Sequence, residues 1–369
     1  MVKITMINIC FVFGTRPEYL KLIEVIKIFK KNKKFKVIVL YSNQQKILVK
    51  KYIKKNFIDF EMELNDFKND SIFISKFFLK INRFYKKSTI DYFFVQGDTN
   101  TAYATSLFSF YQKIPLIHLE AGLRTHDIYN PFPEEFIRQS ISKIALIHLV
   151  QNQTSKDNLI KEGILKNIFI VGNPGIDNLV RNLGKLEPQK VKKKSILITL
   201  HRRENFGENA QGFINNLKNF LKSRKEYKVF WPLHSNPIIL NQIKRGFESY
   251  AKNQIRFFDP LNYKDFLKLI CISEFIITDS GGVQEEAAYL GKPLLIARDK
   301  TEREDILNLE IGEIIHANGS KLESRIDYFN NNKIKKSRTN LWKKNQGLGQ
   351  SAIRIYRLLK TLLNNFESK

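Results

Sequence analysis

The chain has 369 residues, 43% of them hydrophobic and 12% aromatic, and a formal net charge of +26. The length fits two domains at about 150 residues each, and the apolar content excludes a disordered chain. A positive charge of this size is compatible with an anionic binding partner. However, lysine runs such as 192–194 and 333–336 lie beside Asn, Ile and Phe, so they indicate compositional bias. We expect no nucleic-acid partner.

Short β-branched and aromatic runs alternate with longer runs of helical period along the first half of the chain. The predicted strands are 4–13, 35–41, 92–96, 115–119, 145–150 and 167–171. The predicted helices are 17–31, 44–54, 71–85, 99–112, one that begins after Pro133, and one that precedes residue 167. Runs such as Phe93-Phe94-Val95 lack alternation, which is typical of a parallel sheet covered on both faces.

The rhythm stops at a Gly- and Pro-containing stretch and then starts again, so we expect a linker that also contains a helix at 173–194. Strands are predicted at 195–200, 227–232, 255–258, 275–278, 293–297 and 313–316, and helices at 209–223, 237–247, 263–273 and 283–290. The predicted fold is α/β: two doubly wound Rossmann-like domains, 1–172 and 195–350, that face each other across a cleft. We expect a C-terminal helical segment, 351–369, to pack back on the N-terminal domain.

The two cysteines, Cys10 and Cys271, lie inside apolar runs, which excludes a disulfide framework and favours a cytoplasmic location. The apolar stretch 4–13 continues into Gly-Thr-Arg-Pro-Glu and shows no signal cleavage site. No stretch reaches the roughly 20 apolar residues of a membrane span. We therefore expect no membrane insertion.

A polar turn rich in glycine follows a buried strand in Thr278-Asp279-Ser280-Gly281-Gly282. Free N–H groups at the start of the next helix favour a phosphate group there. An ordinary N-cap turn explains the same residues equally well, and this segment alone leaves both interpretations open.

Common cofactor motifs do not occur in the sequence. It contains neither the P-loop pattern nor the three-glycine dinucleotide fingerprint. The six histidines are spread singly, without the close His/Cys pairs of a metal site. The sequence therefore predicts no cofactor and no metal.

Charged residues follow several strands, where the ligands of doubly wound sheets bind. Arg16 and Lys21 follow the first strand, and the cluster His201-Arg202-Arg203-Glu204 follows the first strand of the second domain. Guanidinium groups in such a cluster suit a diphosphate, although solvated surface cations are the alternative interpretation.

Carboxylates also lie at predicted strand ends or helix starts: Asp98, Glu120, Glu134 and Glu135. Burial would raise the pKa of such groups and suit them to proton transfer. Helix capping is the competing explanation for Asp98, and the preference of acidic residues for a first helical turn is the one for Glu134 and Glu135. Because all four are expected on the same rim of the cleft, we predict a catalytic role for this group of carboxylates.

Together these segments resemble the non-hydrolysing UDP-N-acetylglucosamine 2-epimerase family. The resemblance covers residues 13 to about 303 and rests on eight ordered motifs: FGTRPEYLK, QGDTNTAYATSL, IPLIHLEAGLRT, YNPFPEE, HRRENFG, WPLHSNP, TDSGGVQEEAAYLGKP and RDKTER. It implies the glycosyltransferase-B fold, a homodimer, and an isomerase that interconverts UDP-N-acetylglucosamine and UDP-N-acetylmannosamine for surface polysaccharide. It also implies elimination of UDP to 2-acetamidoglucal and its re-addition, a route that needs no cofactor.

The resemblance also implies roles for individual residues. It implies acid/base catalysis by Asp98, Glu120 and Glu134, and it places His201 near the diphosphate. It implies substrate binding by cations at Arg16, Lys21 and Arg303. The remaining substrate contacts that it implies are Phe266 against uracil, Ser280 and Gly281 at phosphate, and Glu286 at ribose. Leu261 departs from the family's usual Gln beside uracil.

Many bacterial members bind a second UDP-N-acetylglucosamine as an activator. Gln44, Arg202 and His234 match that allosteric site, whereas Ile47 and Asp70 replace residues that are usually polar or cationic. A carboxylate near a diphosphate repels it, so we expect weak activation or none.

Three alternatives stay open from the sequence. The first is an epimerase of a modified UDP-N-acetylhexosamine, and the second is a glycosyltransferase of the same fold. The third, a basic RNA-binding protein, requires exposed aromatics among Lys and Arg on one face. The aromatics lie instead in predicted strand and helix-core positions.

Overall fold

A computed structural model describes the chain apart from residues 1–5, 45–52, 54–56, 63, 65–68, 188, 201–204, 234–236, 249–253 and 368–369, and apart from the side chains of 237–239 and 364–367. The chain forms two compact units. The first contains residues 1–178 and 345–369, and the second contains residues 179–344. The boundary at 178/179 lies inside the helix Pro174–Leu183.

The first unit is built on a parallel sheet of seven strands. They are β1 (Ile7–Phe13), β2 (Phe35–Tyr41), β3 (Phe60–Glu61), β4 (Tyr92–Gln96), β5 (Leu116–Ala121), β6 (Ile147–Val150) and β7 (Ile168–Ile170). Their spatial order is β3-β2-β1-β4-β5-β6-β7. All residues of β4 and β5 are buried, because helices cover both faces of the sheet.

The helices of the first unit are Arg16–Lys30, Asp70–Tyr85, Asn100–Tyr111, Glu134–Ile144, Gln153–Lys161, the start of Pro174–Leu183, and Ser351–Glu367. The C-terminal helix packs into this unit's core, where Ile355 and Leu359 join Leu22 and Phe29. Its first turn is held by Asp177, whose carboxylate accepts hydrogen bonds from the backbone N–H of Ser351 at 3.0 Å and of Ala352 at 2.7 Å.

The second unit repeats the same topology with six parallel strands. They are β8 (Ser195–Thr199), β9 (Lys228–Pro232), β10 (Ile255–Phe258), β11 (Phe275–Thr278), β12 (Leu294–Ile296) and β13 (Gly312–Ile314). Their order is β10-β9-β8-β11-β12-β13. Its helices are Glu208–Ser223, Pro237–Gly246, Tyr263–Ile272, Gly281–Tyr289, Glu304–Asn308, Leu322–Asn331 and Lys336–Asn345.

Both sheets have the doubly wound order of a Rossmann fold, so the predicted α/β fold class is confirmed. Most predicted elements occur within a few residues of their expected bounds. The short strand Phe60–Glu61 and the helices Glu304–Asn308, Leu322–Asn331 and Lys336–Asn345 were missing from the prediction. Most of the predicted helix 44–54 lies outside the described residues. No helix in the described parts of the chain is long and apolar enough to cross a bilayer.

Candidate active site

The strand order places one switch point in each sheet, where the chain leaves neighbouring strands toward opposite sides and ligands bind. In the first unit this point lies between β1 and β4. The loop after β1 packs closely beside it: a Cβ at Gly14 would lie 2.2 Å from both Ser42 Oγ and Thr101 Oγ1. Only glycine fits there, which accounts for the first residue of the Gly-Thr-Arg-Pro-Glu motif.

A buried carboxylate, Glu18, connects the two loops at this point. It accepts hydrogen bonds from the N–H groups of Gly14 at 3.0 Å and Thr15 at 2.8 Å, and from the Thr15 hydroxyl at 2.7 Å. Its other oxygen accepts from the Thr99 hydroxyl at 2.8 Å, in the loop after β4. Burial raises the pKa of Glu18 to about 7. Glu18 belongs to the Gly-Thr-Arg-Pro-Glu motif, but the sequence predicted no role for it.

Lys21 and Glu120 form a buried ion pair beside these loops. Lys21 Nζ lies 2.7 Å from both oxygens of Glu120, and both residues are less than 10% exposed. The Gln96 side-chain amide also donates to Glu120. Glu120 lies at an irregularity in the β5–β6 register and has a φ of 67°. A bulge of this kind redirects a side chain. The Glu120 carboxylate therefore does not follow the alternating side-chain pattern of the strand.

Arg138 bridges two other carboxylates of the first unit. Its Nη2 lies 2.5 Å from Asp98 Oδ2, and its Nη1 lies 3.0 Å from Glu135 Oε2. The side chain of Asp98 is 26% exposed and can meet a ligand, whereas Glu135 is fully buried and also accepts from Thr125 N. Glu135 is therefore a structural partner, and Asp98 does not act as an N-cap because Thr99 holds that position.

Three of the other predicted residues of the first unit, Arg16, Asp70 and Glu134, lie at helix starts. Glu134 is half-buried at the first position of Glu134–Ile144, and Arg16 is half-buried at the first position of Arg16–Lys30. Gln44 accepts from the N–H of Thr101 at 3.1 Å and from its hydroxyl at 2.7 Å. Asp70 is exposed and accepts from the Asn100 side chain at 2.8 Å.

The second unit has its switch point between β8 and β11. After β11, Ser280 precedes the helix Gly281–Tyr289, and its side chain makes no capping hydrogen bond to that helix. A Cβ at Gly282 would meet nothing within 4 Å. The start of this helix therefore has space beside Gly282 for an anion, which the N–H groups and the dipole of a helix start favour.

Arg303 lies against this helix start. Its Cζ would be 2.9 Å from a Cβ at Gly281, so the glycine is what allows the guanidinium to approach. Glu285 fixes the arginine through contacts of 2.8 and 3.1 Å, and Glu302 also pairs with it. Glu302 pairs in turn with Arg298 at 2.8 Å. A cation held in this way can reinforce an anion site.

Two residues predicted at the nucleoside lie near this helix as well. Glu286 is half-buried and accepts from the Tyr263 hydroxyl at 2.7 Å. Phe266 is half-buried on the helix Tyr263–Ile272. Asp279 is fully buried and accepts from Asn205 at 2.7 Å. Six residues singled out in the sequence lie outside the described residues: Ile47, His201, Arg202, Arg203, Glu204 and His234.

The family model of UDP-N-acetylglucosamine 2-epimerase matches residues 27–360. The chain belongs to this epimerase family. A relative named UDP-N-acetylglucosamine 2-epimerase from Campylobacter jejuni is 36% identical over 334 residues, which cover 84% of this chain and 86% of the relative. The resemblance expected from the eight motifs is confirmed.

Two solved structures show the same fold. A putative epimerase of this name from Listeria monocytogenes superposes with a TM-score of 0.86 at 31% identity, covering 98% of this chain and 97% of that one. The epimerase from Neisseria meningitidis, solved bound to UDP-GlcNAc, gives a TM-score of 0.84 at 28% identity, covering 97% of this chain and 100% of that one. The epimerase fold therefore extends over nearly the whole chain.

Proposed function

We propose that this protein interconverts UDP-N-acetylglucosamine and UDP-N-acetylmannosamine. The observation that carries the proposal is the grouping of Asp98, Glu120, Lys21 and Arg138 beside the first switch point, which gives two carboxylates, each paired with a cation. Acid/base chemistry on a sugar needs such groups. The Neisseria relative was solved with UDP-GlcNAc bound, which supports this substrate class.

The proposed reaction is an elimination followed by an addition. A base removes the proton at C2 while the C1–O bond breaks, so that a C1=C2 double bond forms and UDP leaves with the bonding electron pair. The product is 2-acetamidoglucal. An acid then delivers a proton to the opposite face of C2, and a UDP oxygen bonds to C1 again. The elimination is anti and the return is syn, so C2 inverts with no change in oxidation state.

We assign the proton transfers to Asp98, Glu120 and Glu134, and contact with the departing diphosphate to His201 and Arg16. Asp98 suits contact with substrate because its side chain is partly exposed while Arg138 holds it. Lys21 balances the negative charge of Glu120 at 2.7 Å. A charged carboxylate held in a fixed position can accept a proton without first reorganising.

We assign nucleotide binding to the second unit. The hydroxyl of Ser280, the N–H groups of Gly281 and Gly282 and the guanidinium of Arg303 provide donors for phosphate. Glu286 provides a carboxylate for the ribose hydroxyls. Phe266 provides an aromatic face for uracil, and Leu261 adds an apolar contact there in place of an amide.

We also propose that activation by a second substrate molecule is weak or absent. Gln44 already uses its carbonyl oxygen to bind Thr101, and Asp70 adds negative charge near the same helix start. Initial rates with UDP-N-acetylmannosamine should follow a hyperbola. A sigmoidal curve that traces of the gluco epimer make hyperbolic would contradict this.

The active form is proposed to be a cytoplasmic homodimer. The helices Asp70–Tyr85 and Asn100–Tyr111 pack together through Phe78 and Phe108, and they leave Leu79, Phe110 and Tyr111 at least 60% exposed. Apolar side chains grouped on a surface mark interaction sites. Sedimentation should give twice the chain mass, and Phe110→Lys should shift the protein toward the monomer.

The proposed cytoplasmic location is supported by the two cysteines. Cys10 and Cys271 are free thiols, which is the usual state of cysteines in a reducing compartment.

Incubation with UDP-N-acetylglucosamine in deuterium oxide tests the proposed function. NMR should show deuterium at C2 of both epimers, because the proton removed exchanges with solvent before return. Asp98→Asn, Glu120→Gln and His201→Ala should each abolish turnover in a folded protein. Transfer of the sugar to an acceptor without exchange at C2 would instead indicate a glycosyltransferase.

A further inference from the structure

The turn that carries Asp98 is held from two sides by buried groups outside the proposed chemistry. It follows β4 and contains Gly97, with a φ of 71°, then Asp98 and Thr99. Backbone hydrogen bonds fix only part of this turn: Gly97 N donates to Leu119 O at 2.9 Å, and Thr99 O accepts from Tyr103 N at 2.9 Å. The position of the residue between them also depends on what the Gly97 carbonyl and the Thr99 side chain contact.

His118 on β5 holds the first residue of the turn. Its Nε2 lies 2.9 Å from the Gly97 carbonyl oxygen, and its side chain is fully buried. Burial lowers the pKa of His118 to about 3, so the ring is neutral and has a single N–H. Since a carbonyl can only accept, that N–H must lie on Nε2 and donate to Gly97.

Glu18 holds the other end of the turn through Thr99. The Thr99 hydroxyl donates to Glu18 at 2.8 Å and accepts from Ala102 N at 3.1 Å, so both its roles are used. The second oxygen of Glu18 binds the N–H groups of Gly14 and Thr15. One carboxylate thus links the Asp98 turn to the loop that leads into Arg16.

We propose that His118 and Glu18 are positioning residues that fix the Asp98 carboxylate for proton transfer at C2. The inference rests on the proposed function, since Asp98 is the reacting group there. Neither side chain contacts the substrate in that scheme. A shift of the turn by 1 Å would displace Asp98 from C2, and misplacement of that size can cost about 100-fold in rate.

Two matched pairs of variants test the proposal. Thr99→Val removes the hydroxyl, whereas Thr99→Ser keeps both of its hydrogen bonds. His118→Met removes the donor to Gly97, whereas His118→Gln keeps an N–H at the same distance from the backbone. We expect kcat to fall about 10- to 100-fold in Thr99→Val and His118→Met, and to stay within about threefold of wild type in the conservative variants.

The measurement compares the change in kcat with the change in substrate and UDP binding. KM and the Kd for UDP, the latter measured by calorimetry, should change less than about twofold, because the proposed nucleotide contacts other than Arg16 lie in the second unit. Thr99→Val also loses the N-cap of the helix Asn100–Tyr111, which lowers Tm. A lower Tm does not by itself reduce kcat in protein that stays folded at the assay temperature. If His118→Met does not fold, the Thr99 pair still decides the matter.

The outcomes separate the two proposals. Equal kcat in Thr99→Val and Thr99→Ser would overturn the positioning role, and so would equal losses in kcat and UDP affinity. If wild-type protein shows neither epimerisation nor deuterium exchange at C2, the proposed function itself fails. An active wild type with a kcat loss confined to the two disruptive variants supports both.

Discussion

Lys21 and Glu120 form an ion pair in which the lysine nitrogen lies 2.7 Å from both carboxylate oxygens, away from solvent. We predict that Lys21→Met abolishes turnover and lowers the free energy of unfolding by about 3–5 kcal/mol, because it leaves a buried charge without a partner. Urea denaturation and kcat measure the two effects.

The double variant Lys21→Met/Glu120→Gln separates charge balance from chemistry. Removing both charges should restore most of the lost stability, because no uncompensated buried charge remains. Activity should not return, since Glu120 is a proposed acid/base group. Recovery of turnover in the double variant would exclude Glu120 from the reaction.

Arg138 supports a second prediction, because it pairs with exposed Asp98 and buried Glu135 at once. Arg138→Met should lower kcat about 100-fold, since Asp98 loses the group that orients it. Arg138→Lys should recover little of this, because an ammonium cannot make both contacts as the planar guanidinium does. Steady-state kinetics with matched circular dichroism spectra measure the effect.

Glu135→Gln is the control for that prediction. It weakens the buried side of the same bridge, so it should lower Tm while kcat falls less than about tenfold. If Glu135→Gln and Arg138→Met reduce kcat equally, then Arg138 acts through the packing of its helix and not through Asp98.

The sequence predicted the fold well because the strands are buried on both faces. Runs such as 92–96 and 275–278 have no polar interruption, and their predicted bounds match the structure residue for residue. The missed helix Lys336–Asn345 is strongly polar and buries only Thr339 and Trp342. Without an apolar stripe, no periodic signal marks such a helix.

The candidate site was only partly predictable, because pairings between distant residues leave no mark on one sequence. Lys21 and Glu120 were both candidates, yet their contact spans 99 positions. The bulge that turns Glu120 depends on the pairing of β5 with β6. Arg138 was not singled out, because an arginine in an amphipathic helix usually lies on the surface. Only the structure shows that it contacts Asp98.

Two adjacent glycines at the proposed phosphate site give a third prediction. An alanine at position 281 would place Cβ 2.9 Å from Arg303 Cζ, whereas one at 282 would meet no atom within 4 Å. Because Glu285 and Glu302 hold Arg303 in place, Gly281→Ala should weaken UDP binding about tenfold, or about 1.4 kcal/mol. Gly282→Ala is the matched control and should bind UDP within about threefold of wild type, as measured by calorimetry.

The paired histidines of β5 and β6 give a fourth prediction, on pH. His118 and His148 are neighbours in the strand register, and burial lowers their pKa values from 6.5 to about 3 and about 4. Arg124 lowers both further, and Asp98 opposes this at His118. At these two sites the unfolded chain binds more protons than the folded one below pH 6.5, so the stability that the histidines contribute is full above that pH and falls as the pH drops. The raised pKa of Glu18 shifts stability in the opposite direction, so the histidine effect is measured as a difference between variants.

The size of this loss follows from the shifts. At pH 5 each histidine should cost about 2 kcal/mol relative to pH 7, or about 4 kcal/mol together. Urea denaturation of wild type and variants at pH 5, 6 and 7 measures it by difference. His148→Gln removes one titrating group and should lose about 2 kcal/mol less than wild type between pH 7 and pH 5, whereas His126→Asn, at an exposed histidine, should follow the wild-type slope. Equal slopes in wild type and His148→Gln would show that His148 is not held neutral in the folded protein.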